Sequence, residues 1–347
     1  MEDKSKAKIQ KQIVICGGGN LGHVIAAFAA HRGYNVQLFT RHPEQWSDNI
    51  TIHTPDGSSF IGHLSRISNR PEEVIPQADI VLLCLPGYGI ADTLHAIRPF
   101  LRPQTAVGSV VSSTGFFFEA LQILPVSTPL FGFQRVPFIA RLEDYGHSAH
   151  LLGYKPSLSM AVERGEKSGE RLAKEIGEIL NTPVRLLGSH YEVSLTNSNP
   201  LLHTSRLYSM WNDWHEGVTY PIRSMFYYDW TDEASQLLID MDEEFFRLLA
   251  VLPVTPGAIP SILDYYESTD AASLTHKLHS IEAFKEIPSP MKAVGNAFIP
   301  DFQSRYFTED FPYGLAIIHR LMHEHHIDCP HINKVYEWGK TMLTINN

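Results

Sequence analysis

The chain is 347 residues long, is 44% hydrophobic and 19% charged, and carries a formal charge of −10 with its 18 histidines neutral. That length exceeds what one hydrophobic core usually serves, so two domains are expected, and the acidic balance excludes nucleic acid and an anionic membrane as main partners while leaving room for an anionic substrate held by a local cation. Residues 1–12 lack the apolar core of a signal peptide, no stretch approaches the ~18 apolar residues of a membrane span, and Cys16, Cys84 and Cys329 lie far apart, which together fit a cytoplasmic protein with reduced thiols.

The predicted elements begin with the short apolar strand Ile13-Val14-Ile15-Cys16. It runs into Gly17-Gly18-Gly19-Asn20-Leu21-Gly22 and then a small-residue, apolar run over 24–30. Strand, tight turn and helix N-terminus in that order make a seat for a pyrophosphate. Gly17 permits the sharp exit, Gly19 keeps a side chain out of the way of the phosphates, and Gly22 lets the helix lie close to the sheet. The helix start adds unpaired N–H groups and partial positive charge. Gly17, Gly19, Asn20, Leu21 and Gly22 are therefore expected to bind the cofactor. The second strand, 35–39, ends in Thr40-Arg41-His42, where an NAD site usually carries an acidic residue for the ribose 2′-OH. Arg41 offers that hydroxyl no acceptor, and its guanidinium fork suits a 2′-phosphate. NADP is favoured on this ground, and Glu44 nearby keeps NAD open.

Residues 50–54 and 59–67 read as short strands split by Pro55-Asp56-Gly57. The continuous apolar run over 80–85 is that of a central parallel strand covered on both faces. Leu85 and Pro86 close it at the carboxyl edge of the sheet, where open α/β sheets bind ligands, and join the expected cofactor contacts with Thr40 and Arg41. Strands are expected over 106–111, 128–136, 157–162 and 184–187, with an amphipathic helix over 168–180. Beyond Gly188 a period near 3.6 dominates, predicting helices over 192–197, 201–214, 232–249, 273–279, 313–325 and 331–343, separated by proline and glycine clusters. The expected fold is α/β: a Rossmann-type doubly wound N-terminal domain over 1–187, followed by an all-helical C-terminal domain over 188–347. The active site is expected in the cleft between them.

Three places in the second half carry candidate chemistry. Pro200 suits the first turn of a helix with Asn199 as its N-cap, which puts His203 in that turn. The segment 304–314 gathers a cation, acids and aromatics ahead of a helix, where Asp310 also reads as a favourable anion near the helix start. His319, His323, His325 and His326 share a helix end. Their spacing could hold a metal, but solvated surface is the ordinary reading, and without HExxH or short paired cysteine and histidine spacings no metal is expected.

The combination of Gly17-Gly18-Gly19-Asn20-Leu21-Gly22, Asn199-Pro200-Leu201-Leu202-His203 and Arg305-Tyr306-Phe307-Thr308-Glu309-Asp310-Phe311-Pro312-Tyr313-Gly314 resembles the octopine/nopaline (opine) dehydrogenases. These stand within the wider group of NAD(P)-dependent dehydrogenases that join a Rossmann domain to a helical domain of the 6-phosphogluconate dehydrogenase C-terminal kind. The resemblance spans most of the chain, although some opine dehydrogenases have a longer second domain. It implies that His203 works with Asp310, that Arg305 holds a substrate carboxylate, and that a 2-oxo acid is condensed reductively with an amino acid. The chemistry of the residues agrees with those roles: a bidentate arginine orients a carboxylate, histidine moves protons near neutral pH, and a buried aspartate behind it fixes its tautomer. Arg135 and Lys155 are further cations near strand ends, read as surface. The rival reading is a 2-oxo-acid reductase of the ketopantoate reductase type, which needs no amine. A hydroxyacid or sugar-acid dehydrogenase and a non-catalytic nucleotide sensor stand behind it. Expected partners are small molecules, with a homodimer left open.

Overall fold

Short aliphatic and β-branched runs, too brief for helices and closed by glycine- or proline-bearing turns, become the strands of the first half of the chain. The computed structural model describes residues 11–164 and 169–345, and the chain separates into units Met1–Ser194 and Leu195–Asn347. Most of the charged start and Ser168 lie outside the described residues.

The strands of the first unit are β1 (Gln12–Cys16), β2 (Asn35–Phe39), β3 (Asn49–His53), β4 (Ser59–His63), β5 (Arg66–Ser68), β6 (Ile80–Leu83), β7 (Ala106–Ser109), β8 (Leu130–Phe133), β9 (Phe138–Asp144), β10 (Ser148–Tyr154), β11 (Leu158–Glu163) and β12 (Val184–Leu186). Its helices are α1 (Asn20–His31), α2 (Pro71–Val74), α3 (Ile90–Ile97), α4 (Phe116–Ile123), α5 (Gly169–Leu180) and α6 (His190–Ser194). An eight-stranded sheet runs in the order β12-β11-β8-β7-β6-β1-β2-β5. Strands β8 through β5 in that order are parallel, and β11 enters antiparallel to β8. Ile13, Ile15, Ile80 and Leu82 join one apolar core with α1 and α5, while Val14, Cys16, Val81 and Leu83 join another with α3 and α4. Burial of both faces is why these strands read as unbroken apolar runs.

The structure departs from the sequence expectation at the second, four-stranded sheet, β4-β3-β10-β9. Residues 59–67 are two strands in different sheets, and β9 and β10 form an antiparallel hairpin that the strand expectation passed over. Phe138, Ala149 and Leu151 of that hairpin pack on α1, while Arg141 and Glu143 face outward. This is the period-two alternation of a half-covered sheet. Gly62 makes the approach to α1 feasible, because a Cβ there would run into the backbone of Ala27.

The second unit contains α7 (Asn199–Trp211), α8 (Asp232–Leu249), α9 (Ile262–Tyr265), α10 (Ala271–Ser280), α11 (Arg305–Thr308), α12 (Ala316–Glu324) and α13 (Pro330–Ile345). Thr231 caps α8 by accepting from Ala234 N at 3.3 Å. Buried Glu244 of α8 accepts from the backbone N–H of His331 and of Ile332, both at 2.9 Å, and so pins the start of α13. The unit is largely helical, with one addition: a hairpin of β13 (Met291–Val294) and β14 (Ala297–Pro300), closed by Gly295 at φ 60°. Its Gly-Asn turn is a hairpin signal embedded in a sequence otherwise patterned as helix. The helix expected from residue 313 opens instead as a π-helical turn, Phe311–Leu315, with Leu315 N donating to Asp310 O at 2.8 Å. Among the described residues, no helix is long and apolar enough to cross a membrane.

Candidate cofactor and catalytic sites

At the glycine turn each expected contact has a definite place. Gly17 takes φ 111°, and a Cβ there would lie 2.7 Å from both Cys84 O and Leu85 Cδ2. A Cβ on Gly22 would run into Gly17 O, so only glycine lets α1 start against the turn. Gly19 is the opposite case: a Cβ would meet nothing within 4 Å, and no side chain caps α1 there. Open space beside an uncapped helix start, walled by β1 and the end of β6, fits the pyrophosphate of a dinucleotide. Asn20 and Leu21 form the first turn of α1, and the Asn20 side chain is engaged elsewhere, its Oδ1 accepting from Leu142 N at 2.9 Å.

His23, one turn into α1, was not singled out from the sequence. It is fully buried, its Nδ1–H donates to Gly19 O at 3.0 Å, and its Nε2 accepts from Gly146 N at 2.8 Å. Burial lowers its pKa, which keeps the ring neutral as that pair of bonds requires. Trp46 stacks on it at 4.0 Å. The turn between β9 and β10 is thus tied to the glycine turn.

Thr40 is buried at the end of β2, its N–H donating to Ser68 O at 3.0 Å, and Arg41 next to it is exposed. The Glu44 carboxylate lies 3.4 Å from His42 Nδ1. Leu85 and Pro86 are half-buried just beyond β6, with Leu85 against Gly17.

In the second unit, Ser198 rather than Asn199 is the N-cap of α7, and Pro200 occupies its first turn. Asn197 Oδ1 accepts from Asn199 N at 3.2 Å, a local bond that starts the helix one residue early. His203 is buried on α7, and its Nδ1 lies 2.8 Å from Asp310 Oδ2, 107 residues away. Packing between the two motifs makes this meeting possible. Gly314 lies against Pro200, where a Cβ would sit 2.5 Å from Pro200 Cγ. The π-helical turn then sets Asp310, the residue before it, onto the imidazole.

The other ring nitrogen is engaged as well: Nε2 lies 2.9 Å from the hydroxyl of buried Tyr227. With Asp310 able only to accept, Nδ1–H donates to the carboxylate and the tyrosine O–H donates to Nε2. Tyr306 meets the imidazole edge-on at 4.8 Å. Burial is the main cause that pushes the Tyr227 phenol up, with Tyr306, Tyr266 and Asp310 adding to it. Arg206, three residues after His203, is buried and holds the chain around Tyr227. Its Nε donates to Phe226 O at 3.0 Å and its Nη2 to Asp229 O at 2.6 Å, and its guanidinium lies 5.5 Å from the Trp230 ring. Burial lowers the Arg206 pKa to about 10, which leaves it charged at neutral pH. Neither Tyr227 nor Arg206 announced itself in the sequence; the only signal was the dense aromatic segment Phe226-Tyr227-Tyr228-Asp229-Trp230, which has no helical or strand period.

Arg305 is placed differently from His203 and Asp310. Its side chain is 84% exposed, and its Nε and Nη2 reach the two carboxylate oxygens of Glu309, each at 3.1 Å. Its fork is therefore already shaped around a carboxylate. At the histidine-rich helix end, His319 and His323 approach each other at 3.1 Å between Nε2 atoms, and Asn333 Oδ1 lies 3.1 Å from His323 Nε2. Among the described residues no three metal-binding side chains gather.

Comparison with known proteins gives two family matches over different parts of the chain. Residues 186–343 match the family profile described as NAD/NADP octopine/nopaline dehydrogenase, alpha-helical domain, and residues 13–115 match that of ketopantoate reductase PanE/ApbA. Tauropine dehydrogenase of Arabella iricolor is 26% identical over 95% of this chain and 91% of its own length. Octopine dehydrogenase of Pecten maximus is 25% identical over 96% of this chain and 90% of its own. The solved structure of an octopine dehydrogenase with NADH and L-arginine superimposes with a TM-score of 0.84 at 23% identity, covering 96% of this chain and 90% of that one. Yersinopine dehydrogenase with NADP+ bound gives a TM-score of 0.69 at 11% identity, covering 97% and 91%.

Proposed function

We propose that this chain, which belongs to the NAD(P)-dependent opine/octopine dehydrogenase family, condenses a 2-oxo acid with an amino acid and reduces the adduct, releasing water and a secondary amine dicarboxylate. The observation that carries this reading is the 2.8 Å bond between His203 Nδ1 and Asp310 Oδ2, made by the two motifs most particular to the second unit. NAD(P)H, when bound, supplies the hydride. The glycine turn would hold its pyrophosphate through the α1 N-terminus, Thr40 and Arg41 would meet the adenosine ribose, and Leu85 and Pro86 would border the cofactor at the end of β6.

The amino group must lose a proton before it attacks, and the former carbonyl oxygen must gain one before it leaves as water. His203 serves both needs, and the Asp310 carboxylate stabilises the imidazolium and holds the ring in one orientation. Arg305 takes the 2-oxo acid carboxylate in exchange for Glu309. Residues 188–347 act as the substrate domain, and Arg41 tilts the preference toward NADPH. The three free cysteines suit the cytoplasm, and a homodimer is compatible with this reading. A second reading, an amine-independent 2-oxo-acid reductase, is favoured by the ketopantoate reductase match over 13–115.

One assay separates the two: NAD(P)H oxidation with pyruvate and other 2-oxo acids, with and without a panel of amino acids that includes arginine and taurine. Strict dependence on the amine is expected, and rapid oxidation without it would favour the simple reductase.

A further inference from the structure

We propose that the Tyr227 hydroxyl, rather than the His203 ring, is the group that exchanges protons with the substrate, so that Asp310, His203 and Tyr227 form one proton line. This rests on the reading of His203 as the acid/base of the reaction above. Both nitrogens of that imidazole are occupied, Nδ1 by Asp310 at 2.8 Å and Nε2 by Tyr227 at 2.9 Å. For a substrate to reach Nε2, Tyr227 must either move out or carry the proton itself.

The packing argues against its moving. Tyr227 is 4% exposed, and its ring lies 4.1 Å from that of Phe284 at 17° and 6.0 Å from that of Trp230 at 6°. Its segment is closed by Asp229 Oδ2, which accepts from Met225 N at 2.7 Å. Buried Arg206 grips the same segment through the carbonyls of Phe226 and Asp229. Displacing Tyr227 would strain bonds to a buried cation, whose loss of acceptors is costly. Rotating its O–H about the C–O bond moves no heavy atom. Because burial holds the phenol protonated, the hydroxyl passes on one proton only as it receives another.

The steps balance. As the ammonium of the amino acid is deprotonated, its proton goes to the Tyr227 oxygen while the tyrosine proton goes to Nε2, leaving His203 as imidazolium against Asp310. The free amine then forms a bond to the carbonyl carbon as the C=O π pair moves onto oxygen, and that oxygen takes the proton the added nitrogen gives up, leaving a neutral carbinolamine. When the adduct dehydrates, the Tyr227 O–H protonates the leaving hydroxyl, Nε2–H reprotonates the phenol oxygen, the C–O bond breaks and the nitrogen lone pair forms the C=N bond. NAD(P)H, when bound, would supply the hydride that this carbon needs, and the product nitrogen takes its last proton from water.

The test is Tyr227→Phe, which keeps the stacked ring and removes only the hydroxyl. The expected result is a fall in kcat of about a hundredfold or more, with the KM for the 2-oxo acid changed by less than about threefold. In mixtures of H2O and D2O, the wild-type rate should follow a curved dependence on deuterium fraction, because two protons move together. Tyr227→Phe retaining wild-type kcat, or exceeding it, would show that the hydroxyl only occupies Nε2 and would overturn the proposal. A linear wild-type dependence would overturn it as well, without need of the variant. Amine dependence of the wild type tests the assigned reaction; the ratio of variant to wild type, on whichever 2-oxo acid is reduced, tests the proton line.

Discussion

Gly314→Ala introduces a methyl group 2.5 Å from Pro200 Cγ, where ordinary contact begins at 3.4 Å. The proline ring cannot rotate aside, so the π-helical turn and the start of α7 must separate by about 1 Å, a strain worth about 1–3 kcal/mol in a packed interior. Asp310 precedes that turn and His203 lies one turn beyond Pro200, so the separation is delivered to their 2.8 Å bond. Lengthened by about 1 Å, it is no longer a hydrogen bond. A misplacement of that size at a reacting group costs about a hundredfold in rate. The expectation is therefore a drop of about 3 to 8 °C in Tm together with a kcat loss of about 10- to 100-fold. Because both effects pass through Asp310, the double variant with Asp310→Asn should lose little more kcat than Asp310→Asn alone. Steady-state kinetics and thermal unfolding on the four proteins decide it. A Gly314→Ala protein with reduced Tm and untouched kcat would refute the claim that this contact sets the catalytic pair.

Asp242 on α8 is buried and accepts from Ile262 N at 2.9 Å, and burial raises its carboxyl from 3.8 to about 6. A raised folded-state value means that folding favours the protonated acid, so this contribution is full below the unfolded value and is lost as pH rises through about 6. Asp242→Asn keeps an acceptor for Ile262 and should stabilise the fold by up to about 3 kcal/mol near neutral pH, with the gain vanishing below about pH 4; urea unfolding at both ends checks this, and an equal gain at the two would contradict it. Arg41→Ala should weaken NADPH more than NADH, and an unchanged ratio of the two Kd values removes the 2′-phosphate role. Arg305→Ala should raise the KM for the 2-oxo acid about tenfold or more with cofactor affinity unchanged, whereas Glu309→Gln, which frees the fork from an exposed pair worth at most about 1 kcal/mol, should lower that KM by up to about fivefold. Equal effects on cofactor and 2-oxo acid would exclude a clamp.

The nucleotide half was legible where contiguous residues carry the whole instruction. Ile13 to Gly22 encodes strand, turn and helix start through apolar burial and the geometric freedom of Gly17 and Gly22, and these are local properties. The helix over 232–249 was equally plain, because its period and its Thr231 cap lie within one stretch. Period two was also present in 138–154, yet nothing local says that such a hairpin leaves the main sheet to cover α1.

The proposed catalytic pair was accessible through motif resemblance, since Asn199 to His203 and Arg305 to Gly314 are each contiguous. Their contact could not be read from spacing. It depends on Gly314 admitting Pro200 and on a π-helical turn that the 3.6-residue period does not signal. The sequence by itself determined the central strands and most of the long helices, and it singled out the glycine turn expected to hold the cofactor and the histidine and aspartate proposed to move protons, because periodicity, turn preference and functional-group chemistry travel with neighbouring residues. Only the tertiary structure decided that Tyr227 closes the second nitrogen of His203 and that Arg206 braces it, because partners of a buried polar atom are chosen by how distant segments pack.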